Sequence, residues 1–197
     1  MNTLAIADKL PRWRGRAQLL GLLAVVLGPM LLASAMYHGQ FWLPQSRSYH
    51  GELIASGQTP ADLGVAGAWD GGELLAAPRW QLLVTAPDGC AADCRALVYL
   101  ARQIHIGLGR EAPRASHALA HGAALAADYA ATLQAEYPQL LQLVLDAERY
   151  PAAQLPAGAQ LWIVDPHGNL VLRYAAGSDG KQILDDLRYL LKISQIG

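Results

Sequence analysis

No charged residue lies between Ala17 and Tyr37. That run, AQLLGLLAVVLGPMLLASAMY, is long enough to cross the roughly 30 Å hydrocarbon core of a bilayer as a helix. Gly28 and Pro29 interrupt it, but membrane helices tolerate both. Whatever packs around a core of its own must therefore be built from the residues that follow. Lys9, Arg12, Arg14 and Arg16 precede the run against Asp8 alone, so residues 1–16 carry +3 in a chain whose net charge is −1. By the positive-inside rule the basic end, residues 1–16, stays in the cytoplasm, 17–37 spans the inner membrane, and everything after Tyr37 is exported. Phe41 and Trp42 then fall at the outer interface. Ala33-Ser34-Ala35 is an A-x-A pattern, so a cleaved signal peptide stays open as the alternative. Either reading puts the rest of the chain in a compartment that permits disulfides, the periplasm for a bacterial chain. The small negative net charge argues against a nucleic-acid partner.

Residues 38–78 are polar and Gly-containing, with Pro44, Pro60 and Pro78, and read as a linker or embellishment in which His50–Ile54 could start a short strand. From residue 79 to 197 the pattern changes. Trp80–Thr85 is a nearly continuous apolar run bounded by Pro78 and by Ala86-Pro87-Asp88-Gly89, as expected of a strand buried on both faces. A helix over about Ala92–Leu108 follows, with Leu97, Leu100, Ala101, Ile104 and Leu108 on one face and Gly109 as its C-cap. Residues 115–120 are a second strand, about 123–137 a helix stopped by Pro138, and 140–146 a third strand. Residues 158–165 and 170–174 form a hairpin across Pro166-His167-Gly168-Asn169. A last helix starts near Gly180, capped by Ser178, with Ile183, Leu184, Leu187, Leu190 and Leu191 as its buried stripe. This order predicts an α/β fold: a thioredoxin-like domain with a central mixed sheet covered on both faces, preceded by one N-terminal transmembrane helix.

The two cysteines of the chain both lie in Cys90-Ala91-Ala92-Asp93-Cys94, where the first strong strand gives way to a helix. Free amide N–H groups and the helix dipole at such a junction favour the thiolate, which is both the nucleophile and the metal ligand. Two thiolates one helical turn apart can clamp a soft ion such as Cu(I). They can also close a small disulfide, whether working or merely structural. A zinc site is not expected, because the histidines are not in pattern.

From Trp80 onward the chain resembles the Sco-type proteins, the thioredoxin-fold copper chaperones of cytochrome c oxidase. Strand-then-Cys-x-x-x-Cys, the element Leu-Trp-Ile-Val-Asp-Pro-His-Gly-Asn (161–169) and the N-terminal anchor carry the likeness. Residues 94–103, 164–170 and 187–192 further resemble small Sco-like transmembrane proteins of proteobacteria. The resemblance implies a redox-active or copper-holding pair, Cys90 and Cys94, with Cu(I) as cargo and the copper-binding subunit of cytochrome c oxidase as partner. Two departures stand out. Ala91 and Arg95 follow the cysteines where the family has proline. Counting back from Asp165 to the family's copper-binding His reaches Ala157, and no His lies between Arg149 and Asp165. His117 and His121, near the Cys loop if they border a strand end, are the candidates for a further metal ligand; His167 reads as a solvated turn residue and His105 as exposed. No methionine ligand is available, since Met1, Met30 and Met36 all precede the domain. Pro156 reads as a loop residue. Three functions follow as expectations: holding or delivering Cu(I), thiol–disulfide exchange on the oxidase's copper-site cysteines, or a scaffold that uses neither. Whether the chain is an enzyme is left open.

Overall fold

The computed structural model describes residues 12–39, 49–66 and 79–194. Lys9, Phe41, Trp42 and the residues after Ser194 lie outside the described set. The chain divides into two units, residues 1–47 and 48–197.

The first unit contains helix α1, Arg12–Gly39. Its stretch Gly15–Met36 has a mean hydropathy of 2.3 and none of that window is buried against other parts of the chain. Leu19, Leu20, Leu22, Val25 and Met30 are all exposed. A helix apolar on every side without protein cover fits a lipid surround, not a water-facing position. Pro29 sits inside the helix without ending it. The chain thus carries a single-pass membrane anchor, within a helix that runs from Arg12 to Gly39.

The second unit is built on one seven-stranded sheet of order β1-β7-β6-β3-β4-β5-β2. Its strands are β1 (Glu52–Leu53), β2 (Val65–Ala66), β3 (Trp80–Ala86), β4 (Ala115–His121), β5 (Leu140–Leu145), β6 (Gln160–Val164) and β7 (Leu170–Ala175). Strand β3 pairs in parallel with β4, and β4 with β5, while β3–β6 and β6–β7 are antiparallel. All seven residues of β3 are buried, which is why its sequence reads as a continuous apolar run instead of an alternating one. From the segment 49–66, β1 and β2 extend the sheet at its two opposite edges.

Helices α2 (Ala92–Gly107), α3 (Ala127–Glu136) and α4 (Gly180–Ile193) complete the domain. The sheet is covered on both faces, as expected, and the helices lie on one of them. Leu97, Val98, Ala101 and Ile104 of α2, Tyr129 and Leu133 of α3, and Ile183, Leu187, Leu190 and Leu191 of α4 all join one core with Leu82, Val84 and Leu119. The strand order β3-β4-β5 runs in one direction, so two right-handed crossovers must lie on the same side. The opposite face is covered by the 3-10 turn Pro60–Leu63, Tyr150 and Leu155, packed on Leu83, Ala118, Leu143 and Trp162. Polar groups there are paired inside the layer: the Trp162 indole N–H donates to Thr85 Oγ1 at 2.9 Å, and Thr85 is in turn 3.1 Å from the Tyr150 hydroxyl.

Two further corrections are local. Helix α3 starts at Ala127, not near 123: Gly122 and Ala123 lie against Pro87 and Gly89 of the cysteine loop. The cap of α4 is Asp179, whose carboxylate accepts the Lys181 amide at 3.0 Å; the Ser178 hydroxyl is turned back to the Ala175 carbonyl. Asp186, on the buried stripe of α4, was not anticipated. It is 2 % exposed and accepts hydrogen bonds from the His50 and Gly51 amides, from His50 Nδ1 and from the Tyr174 hydroxyl.

Candidate functional site

Strand β3 ends at Ala86, and Gly89, with φ of +93°, turns the chain before Cys90. A left-handed residue is needed there, and glycine takes it without the Cβ strain other residues meet. Ala91 then caps α2 in an extended conformation with no side-chain hydrogen bond, so the first amides of the helix are not capped by that residue. Cys94 lies in the first turn of α2 and Cys90 just before the helix. The expected helical-turn spacing therefore arises across the cap, not within the helix.

The two sulfurs are joined in a disulfide with Cα atoms 5.0 Å apart. They are unequal in exposure. Cys94 is 1 % exposed and packs in the core, whereas Cys90 is half-buried at its edge. An outer sulfur open to a partner and an inner sulfur shielded from it is the arrangement a two-step exchange requires.

Arg95, seen in the sequence only as a missing proline, places a cation beside the Cys90 carbonyl. Its Nε lies 3.4 Å from the Cys90 carbonyl, its guanidinium 4.4 Å from the centre of the Tyr129 ring, and its Nη1 3.6 Å from Asp128. Tyr129 is itself 7 % exposed, and burial pushes its hydroxyl pKa up to about 12, so it stays neutral. Thus α3 holds a positive charge against the turn that carries the cysteines. The signal available in the sequence was charge next to Cys94; what could not be read was that α3 would supply a ring and a carboxylate to fix it.

The segment ahead of β6 closes the site from the other side. Gln160 is fully buried and its side-chain amide donates to the carbonyls of Pro156 and Gly158. A Cβ built on Gly158 would stand 3.7 Å from Asp93 Oδ2, so this loop faces the Cys-bearing turn. Pro156 is part of that loop, and no peptide bond among the described residues is cis.

The two histidine candidates separate. His121 is opposite Ala86 in the β3–β4 register, at the cysteine end of the sheet. The next residue, Gly122, donates its amide to Ala86, and a Cβ there would come within 2.5 Å of the Pro87 carbonyl. His121 Nδ1 is 3.0 Å from the Ala123 carbonyl oxygen, so that nitrogen is the donor. His117 is opposite Leu82, about 13 Å further down the strand at about 3.3 Å per residue. It is buried beside His105, not beside the cysteines. The expectation that both histidines border the Cys loop therefore holds in place for His121 and not for His117. His105 is also not the exposed residue expected: its Nε2 lies 3.1 Å from the carbonyls of both Ala112 and Ala115. His167 is in the β6–β7 turn, where Asp165 accepts the amides of His167 and Asn169. Since Val164 pairs with Gln81 at the start of β3, that turn lies at the end of the sheet away from the cysteines. Among the described residues no three His, Cys, Asp or Glu side chains converge as a metal site.

Several solved structures are similar to part of this chain. Copper-bound ScoI of Arabidopsis thaliana is 11 % identical with a TM-score of 0.46, over 60 % of this chain and 87 % of that one. Copper-bound yeast Sco1 is 14 % identical, TM-score 0.46, over 59 % and 80 %. A putative thiol:disulfide interchange protein DsbE from Chlorobium tepidum is 11 % identical, TM-score 0.44, over 60 % and 82 %. A comparison with curated protein sequences finds no match. Two family models do match: the transmembrane-like N-terminal domain over residues 11–40, and the transmembrane-like, thioredoxin-like C-terminal domain over residues 80–194. The chain therefore belongs to the family of transmembrane-like proteins with a thioredoxin-like C-terminal domain.

Proposed function

We propose that this chain is a membrane-anchored thiol–disulfide exchange protein, with Cys90 the attacking and Cys94 the resolving sulfur, that serves assembly of the copper centre of cytochrome c oxidase on the periplasmic side of the inner membrane. The observation that carries this is the unequal exposure of the pair, half-buried Cys90 against Cys94 at 1 %. The oxidase and its copper-binding subunit enter through the Sco-like motifs alone.

In the reduced protein, Arg95 and the start of α2 favour the Cys90 thiolate. The thiolate attacks one sulfur of a partner disulfide. The partner S–S bond breaks, a mixed disulfide with Cys90 forms, and one partner sulfur leaves as thiolate. The Cys94 thiolate then attacks Cys90 Sγ, releasing the second partner sulfur and closing the Cys90–Cys94 bond. Two electrons pass to the partner, which is left as a dithiol competent to take copper. An external dithiol reductant must reopen the bond for the next turn. Asp93, next to the pair, opposes the cation in part.

The second reading, transport of Cu(I) as cargo, is favoured by the same two sulfurs. Reduced Cys90 and Cys94 offer two soft thiolates close together, a donor set that suits Cu(I). A Cu(II) site with an added imidazole finds less support, because among the described residues no third ligand joins them. His121 is the histidine placed at that end of the sheet, and it is the residue to test for a third contact.

A Cys94→Ser variant of the full chain should accumulate a covalent partner through Cys90, seen as a dithiothreitol-sensitive band on a non-reducing gel; Cys90→Ser should not. Failure to trap any thiol partner, together with one Cu(I) per reduced wild-type chain that is lost in either variant, would instead establish the cargo reading. Full oxidase assembly by a double Cys→Ala variant would leave only a scaffold.

A further inference from the structure

Near its C-terminal end, α4 turns four side chains outward. Arg188, Tyr189, Lys192 and Ile193 are all exposed, and they lie together because residues three and four apart share a helix face. Leu187, Leu190 and Leu191 of the same helix face the core, whereas Ile193 is 57 % and Tyr189 45 % exposed. The end of α2 borders this face. Arg188 Nη2 donates to the Gly107 carbonyl at 2.8 Å, and Arg114 Nη2 to the Ser194 carbonyl at 3.1 Å. These bonds bring exposed Ile106 and the turn that carries exposed Arg110 alongside. The charge here is positive: Arg110, Arg114, Arg188 and Lys192 stand against Asp185 and Glu111, and Glu111 is already paired with Arg114.

Exposed apolar side chains scattered singly are ordinary. Two isoleucines and a tyrosine interleaved with cations are the composition of a surface that sits in a bilayer interface. There the apolar groups enter the headgroup region, the cations meet lipid phosphates, and a tyrosine ring is favoured. The path of the chain is an independent reason. Tyr49, where the described part of the domain begins, stands edge-on to Tyr189 with ring centroids 5.7 Å apart. Ten peptide links separate it from Gly39, the end of the membrane helix, at most about 35 Å of extended chain. The tether therefore enters the domain at this patch, within that reach of the lipid.

We propose that the C-terminal end of α4, with the adjoining end of α2, docks on a bilayer that carries anionic phospholipid. Arg110, Arg188 and Lys192 meet the headgroup phosphates, and Ile106, Tyr189 and Ile193 enter the interface. Cys94 lies at the start of α2 and Ile106 at its end, about 18 Å apart along the helix, so docking leaves the sulfurs open to a partner. The inference rests on the anchor, not on how the sulfurs are used.

The test uses the full chain in nanodiscs of phosphatidylcholine, alone or mixed with phosphatidylglycerol. Cys90 and Cys94 are closed in a disulfide, so without reductant Ile193→Cys takes a nitroxide at that position only, and the apolar label stands in for the isoleucine. Val144→Cys, on exposed β5, is the control. Electron paramagnetic resonance then reads how often a water-soluble nickel chelate meets the label. With phosphatidylglycerol, nickel access at position 193 should fall roughly threefold or more and return in high salt, while position 144 does not change. Lys192→Glu combined with Arg110→Glu, both on exposed side chains, should cancel the fall. The proposal is overturned if nickel meets position 193 equally in both bilayers, which would leave the surface to a protein partner. It is also overturned if position 144 changes as much, or if the double variant docks as the parent does.

Discussion

Arg95 is the residue where this chain departs most from the pattern its motifs suggest, and its placement has a measurable effect. Held by Tyr129 and Asp128 beside the Cys90 carbonyl, the guanidinium stabilises a thiolate more than a disulfide, which carries no charge. Arg95→Gln should therefore slow iodoacetamide alkylation of reduced Cys90 at neutral pH, by roughly three- to tenfold, and Arg95→Lys should restore part of the rate. An unchanged rate would remove Arg95 from the site. His117 makes a different residue-scale prediction. Its folded pKa, about 4, lies below the ordinary 6.5, so the unfolded chain takes up the proton first as pH falls. The contribution is fully present above about pH 6.5 and is lost as pH drops towards 4, up to about 3 kcal/mol. Thermal unfolding between pH 7.5 and 4.5 should show this fall, and His117→Asn should flatten it.

At the scale of elements, the segment 49–51 is tied to the domain by one carboxylate. Burial raises the Asp186 pKa, but hydrogen bonds from Tyr174, His50 and Gly51 outweigh it and hold the group below the usual carboxylate range. Asp186→Ala would leave the Tyr174 hydroxyl and two amides unpaired, a loss of about 3 kcal/mol, read as a lower unfolding temperature and faster proteolysis near residue 50. Asp186→Asn, which keeps an acceptor, should lose less. Gly51→Ala tests the same joint sterically, since its Cβ would lie 2.5 Å from the Tyr174 ring. None of this was legible in the sequence. Asp186 sits in a helical stripe of Ile and Leu, and only the fold brings residue 50 across to it. The β3–α2 junction was legible, because an unbroken apolar strand, a glycine turn and a 3.6-residue apolar period are each local signals. The faces of the sheet were not: helix position depends on strand order, which no local pattern states. His117 was misplaced for a related reason. A two-residue period tells which face a strand residue takes, but not how far along the strand the cysteine loop lies.

At the scale of the molecule, the chain combines an apolar helix with a domain that has its own core. If the basic residues before Ala17 set the topology, a periplasm-active reporter fused after Gly197 should be active and a cytoplasm-only reporter dead; the reverse would turn the protein around. Both exchange and metal transfer require the bond between Cys90 and Cys94 to be reversible, because a bridge that never opens can neither exchange electrons nor receive a metal. The direct measurement is to equilibrate the folded full chain in glutathione buffers of graded ratio and count free thiols by maleimide mass tagging. The predicted result is one two-electron transition within the glutathione range, with both thiols appearing together. A bond that stays closed at every ratio while the protein remains folded, as stable structural disulfides do, would contradict it.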